Sequence, residues 1–226
     1  GETKYETLAE AIAAANDNDT VKLLADAPQE GAQLVIPKDK KLTLDLNGQT
    51  LKVSKYTANA AQVSVFGALT VTDSSEKQSG VICSDYTGTA GLVVQVEKGG
   101  KLTMAGGTIT TDGMANAGNA VKVVSGGEVE MTGGTIRCDA KRGNRAVNVY
   151  GNFTMTGGFV VADAGDGSET YIIAVCGNNG SEIAISGTAQ VSGPEAVSAK
   201  SANATITGGN FTGTITVTKG VSGGTF

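Results

Sequence analysis

Four aspartates recur in one register: Asp85, Asp112, Asp139 and Asp163 each lie five residues after a corner glycine, Gly80, Gly107, Gly134 and Gly158. Carboxylates repeated on a stacked frame can ligate a hard cation such as calcium, or serve as general acid and base. Aspartate is also the residue at which a strand breaks into a turn, because its side chain accepts from the backbone two residues on. All three readings stay open. The three arginines Arg137, Arg142 and Arg145 sit in a single repeat, where Arg142 and Arg145 could flank Asp139. The plainer reading of Asp139 with Lys141 and Arg142 is a solvated ion cluster worth about 0–1 kcal/mol. Histidine is absent, so no imidazole can share the work.

The segments after these aspartates are the most varied in the chain, and binding residues commonly stand on loops held by a rigid frame. Tyr86, Arg142, Arg145 and Tyr171, with Tyr56 and Met114, combine flat apolar faces and donors suited to a sugar or a peptide. Against that, tryptophan is absent and aromatics are 4% of the chain, thin for a carbohydrate platform. Gly165-Asp-Gly167-Ser lacks the Lys-Ser/Thr of a phosphate cradle. Cys83, Cys138 and Cys176 form no CxxC pair, and the repeat puts Cys83 and Cys138 two coils apart with opposite facing, so structural thiols are expected. A net charge of -5, with scattered basic residues, gives no footprint for nucleic acid. No apolar run is long enough to span a membrane.

What must position these residues is a repeat. Met104-Ala-Gly-Gly-Thr-Ile109, Met131-Thr-Gly-Gly-Thr-Ile136 and Met155-Thr-Gly-Gly-Phe-Val160 are copies of one unit, with later copies at Ile206–Phe211 and Val221–Phe226. Apolar residues alternate in a first run, Leu34/Ile36, Val63/Val65, Val94/Val96, Val121/Val123, Val147/Val149, Ile173/Val175 and Val197/Ala199. A second run follows at Leu69/Val71, Leu102/Met104, Val129/Met131, Phe153/Met155, Ile183/Ile185 and Ala204/Ile206. Past each Gly-Gly bend comes a single inward residue, Ile82, Ile109, Ile136, Val160, Val191, Phe211 or Phe226. In the earliest coil Leu42, Leu44 and Leu46 all read inward, with Leu46 standing before Leu51 as Met131 does before Ile136. Outward positions after the first run form a column Phe66, Glu97, Val124, Tyr150 and Cys176.

Period-2 strands repeating in one direction at this interval stack parallel, coil on coil. The expected fold is all-β: a right-handed single-stranded parallel β-helix of three short strands per coil and about seven coils. The whole chain, 1–226, reads as one domain, with 1–19 a capping segment and 20–226 the coils. Thr7-Leu-Ala-Glu10 is a capping box, and Leu8 and Ile12 share one face of the short helix it starts. The chain opens on Gly1 rather than Met, and the expectation is that a leader, if any, was cut away. At the other end a further segment or a neighbouring chain is expected over Phe226.

With cap and coils in place, the chain resembles the extracellular β-helix modules of the pectin-lyase-like group in large bacterial surface proteins. The resemblance rests on Thr7-Leu-Ala-Glu-Ala-Ile12, Asp19-Thr-Val-Lys-Leu-Leu24, Leu42-Thr-Leu-Asp-Leu-Asn-Gly-Gln-Thr-Leu51 and the Gly-Gly-Thr-Ile coils. It implies export to the cell surface or beyond, in a larger chain with additional domains. Fold alone does not settle activity. Complete repeats without a convergent catalytic set favour a non-enzymatic spacer or display module, binding a glycan or a host or cell-surface protein through its loop edge and needing no cofactor. The alternative implied by the resemblance is a calcium-dependent lyase or hydrolase of acidic polysaccharides, drawing on the aspartate column.

Overall fold

The computed structural model describes residues 3–54, 60–86, 88, 91–112, 114, 118–139, 145–163, 172–218 and 221–226. They build a parallel β-solenoid with three faces. The first face stacks Thr20–Lys22, Lys41–Asp45, Ala68–Thr72, Lys101–Met104, Glu128–Met131, Asn152–Met155, Glu182–Ile185 and the start of Asn203–Val217. The second stacks Ala27–Glu30, Thr50–Ser54, Val81–Cys83, Thr108–Thr110, Thr135–Cys138, Phe159–Ala162 and the start of Gln190–Ala199. The third runs from Leu34–Ile36 through Ala61–Val65, Gly91–Val96, Gly118–Val123, Arg145–Val149 and Ile173–Gly177 to the ends of the two long strands.

Alternation explains the packing. Leu102, Met104, Val129, Met131, Ile109 and Ile136 are fully buried and stack on their own kind in the next coil, so one axial core runs the length of the molecule. Val191 takes its expected place between Val160 and Phe211.

The frame departs from expectation in three places. Five turns, 41–65, 68–96, 101–123, 128–149 and 152–177, have three separate strands each paired on both sides, against the expected seven or so; at the C-terminal end second- and third-face strands merge into Gln190–Ala199 and Asn203–Val217. Second, Val147 pairs Val175 and Val149 pairs Gly177, so Ile173 lies one inward position earlier than expected. Asn178, not Cys176, then continues the outward column; its amide donates to Val149 O as that of Glu97 does to Val65 O. Third, Leu44 rather than Leu46 aligns with Val71 and the methionines, because Leu46 belongs to a longer corner. A Cβ on Gly107 would come within 2.5 Å of Leu46 Cδ1, and one on Gly80 would strike Leu46 Cβ, so these two glycines make room for that leucine.

The N-terminal helix Leu8–Ala14 covers the first coil. Thr7 Oγ1 accepts from the Glu10 amide at 3.2 Å while the Glu10 carboxylate accepts from the Thr7 amide at 3.2 Å. Leu8 and Ile12 are buried in the core with Leu23, and Lys40 donates to the carbonyls of Ala13 and Ala15 at the far end of the helix.

Candidate functional site

The aspartates do form a column at the end of the second face. Ile82 pairs Ile109 and Ile109 pairs Ile136, and Cys138 pairs Ala162, which stacks Asp85, Asp112, Asp139 and Asp163 in successive coils. Three of the four carry an ion pair. Asp85 accepts from Ser54 Oγ at 2.6 Å and meets Lys52 Nζ at 2.9 Å; the Ser54 hydroxyl first and Lys52 next hold its carboxyl below the usual aspartate range. The Asp112 amide donates to Thr110 Oγ1 at 3.0 Å, closing a local turn. The Asp139 amide donates to Thr111 Oγ1 of the preceding coil at 3.0 Å.

Arg137 ties the lower half together. Its Nε meets Asp139 Oδ1 at 2.6 Å and its Nη2 lies 3.5 Å from Asp163 Oδ2, so one guanidinium spans two coils, and the Asp139 contact above all raises its pKa. Residues 137 and 139 sit two apart on one strand side, a spacing that the sequence offered. Arg142 and Tyr171 lie outside the described residues. Arg145 opens the strand Arg145–Val149 on the third face, half-buried and in register with Asn119 and Ile173. Tyr86 and Met114, each 6% exposed, belong to the apolar core rather than presenting a ring or thioether to solvent.

Calcium asks for six to eight oxygens converging on one point. Among the described residues no three acidic, cysteine or histidine side chains gather in that way. Within the column the described residues make separate ion pairs and turn bonds.

A second carboxylate pair, not singled out from the sequence, lies at the corners between the first and second faces. Asp73 is buried and its carboxylate accepts three amides: Gly48 at 2.8 Å, Ser75 at 3.0 Å and Gly80 at 2.5 Å. Asp45, one coil earlier, accepts from Asn47 at 3.0 Å and Ser74 at 2.8 Å, with Lys22 Nζ 3.6 Å away. Burial raises both carboxyl pKa values, yet the hydrogen bonds outweigh it and both end below the ordinary value. These two residues stitch the first three coils together where the corner is longest. The signal for them was Asp45-Leu-Asn-Gly48, in which Asn47 and Gly48 take φ of 49° and 77°.

A depression lies elsewhere, between the helix and the first strands, lined by Tyr5, Leu8, Val21, Leu24 and Pro28 among others. It is open, and Lys4, Glu6, Asp19, Lys22 and Asp26 are also in its lining. Among the described residues no two cysteines are bridged, and burial pushes the Cys83 thiol up. No family model, no curated protein and no solved structure matches the chain.

Proposed function

We propose that this chain is a non-enzymatic module of an exported bacterial surface or secreted protein, related to the pectin-lyase-like β-helices, that serves as a rigid spacer and displays a loop edge for a glycan or protein ligand. The observation that carries the reading is the commitment of its carboxylates: Asp85, Asp139 and Asp163 are engaged by Lys52, Ser54 and Arg137, and Asp45 and Asp73 by backbone amides. Groups spent in this way hold coils together. A parallel stack also resists bending, because each inner coil is bonded to the coil on either side along all three faces.

A glycan and protein binding screen, run beside an assay for newly released reducing or unsaturated ends from pectic and uronate polymers with and without calcium, tests the reading. Binding without turnover is the expected result. Product release that Asp139→Ala abolishes, while the fold survives, would overturn it in favour of a polysaccharide-cleaving enzyme.

A further inference from the structure

The outward side of the first face differs from that of the other two. On the second and third faces, outward polar side chains bond across coils: Ser54 donates to Asp85, Ser64 to Glu97 and Asn178 to Asn148. On the first face two neighbouring outward columns are built mainly of threonine. One holds Thr70, Thr103, Thr154 and Thr205, with Glu130 and Ala184 between them. The other holds Thr72, Thr132, Thr156 and Thr207, with Ala105 and Ser186 between them. Thr154, Thr156, Thr205 and Thr207 are exposed. Among the described residues only Thr132 of this set has a side-chain bond to protein, to the carbonyl of Met104.

The columns form a net. Along this face coil follows coil with one residue against one residue and no register shift from Lys41 to Ile206. Strands lie about 4.8 Å apart and alternate residues about 6.6 Å apart, near the oxygen net of about 4.5 by 7.4 Å on the prism face of ice. The difference between strands adds to only about 1 Å over four coils, and the difference along a strand occurs once, because the net is two columns wide. Each threonine brings a hydroxyl that both donates and accepts, as an ice surface requires, and a methyl group that orders the water between neighbours. Charge in mid-face is drawn aside, since Glu130 meets Lys101 Nζ at 2.9 Å and Lys101 also holds Glu128 at 3.0 Å. From Thr132 to Thr207 both columns are uncharged.

We propose that the first face between Thr132 and Thr207 is a binding site for crystalline water, holding the molecule on the prism planes of ice. Adsorption to a lattice needs many weak contacts made at once. A stack bonded coil to coil fixes the hydroxyls before binding, so little conformational freedom is lost when they meet the crystal. The site lies apart from the loop edge, so it stands whether or not that edge takes a glycan or a protein.

Growing ice slowly through a solution of the 226-residue chain, with thermal hysteresis and recrystallisation measured on the same sample, gives the test. The chain should concentrate in the ice, slow recrystallisation and open a hysteresis gap. Ice grown with chain labelled at its amino terminus should fluoresce on prism planes. Thr154→Lys with Thr205→Lys should reduce hysteresis by at least about fivefold with an unchanged circular-dichroism spectrum, because an ammonium accepts no hydrogen bond and keeps its own hydration. Thr212→Lys, exposed on the second face, should leave hysteresis intact. Exclusion of the chain from ice overturns the proposal. So does hysteresis indifferent to the lysine pair, or retention on crystalline cellulose or chitin, and not on ice, that the pair abolishes. Should the pair fail to fold, fluorescence absent from the prism planes overturns it as well.

Discussion

Asp73 holds three backbone amides from two corners, and its removal strands the buried amide of Gly80 and the part-buried ones of Gly48 and Ser75. Asp73→Ala should therefore cost about 2–4 kcal/mol in urea unfolding, well above a surface ion pair such as Arg137–Asp139, whose loss in Asp139→Ala should cost about 1 kcal/mol or less. The sign of the pH dependence follows from the direction of the shifts. Asp45 and Asp73 titrate lower in the folded chain than in the unfolded one, so their stabilisation is complete above the unfolded aspartate value near about 4 and is lost as pH falls through the folded values. Acid titration of the unfolding free energy should show a steep loss below about pH 4 that is shallower in Asp73→Asn. Sequence spacing exposed the aspartate column but not what engages it. A column is visible in spacing because coils repeat, whereas the bonds to Ser54 and Lys52 cross coils of unequal length.

At the corner, a leucine and two glycines act as one unit. Leu46 Cδ1 fills the space that a side chain at Gly107 would need, so Gly107→Ala, at a φ of 71°, should destabilise by about 1–3 kcal/mol through overpacking and strain. Combined with Leu46→Ala it should cost clearly less than the sum of the two single changes, read as a coupling in a double-mutant cycle. The alternation of apolar residues made the strands legible, and the capping box made the helix so. Where the reading slipped, at Leu46 and at Ile173/Val175, a loop of different length carried the next apolar residue out of step. Gly177 marks the second slip: it occupies an inward position where Val149 and Ala199 stand above and below, and a Cβ there would meet Ala202 Cβ and Ile183 Cδ1 at 2.6 Å. A glycine in an apolar column gives no hydrophobic signal, so periodicity alone places the neighbouring valine there instead.

Across the whole molecule, the stack is one axial core with its polar ladders on the outside, and a rod of that kind has distances set by coil number alone. The outward first-face column runs Thr43, Thr70, Thr103, Glu130, Thr154, Ala184 and Thr205, one residue per coil. Parallel strands in register lie about 4.8 Å apart, so separation should grow by that amount per coil however many residues lie between. Spin labels at Thr43 paired in turn with Thr103, Thr154 and Thr205, in a background without the native cysteines, measure this by electron–electron dipolar coupling. Narrow distributions between backbone sites near about 10, 19 and 29 Å are predicted. Distances that fail to rise in that order, or that spread broadly, would contradict the stacked columns and, with them, the spacer built on them.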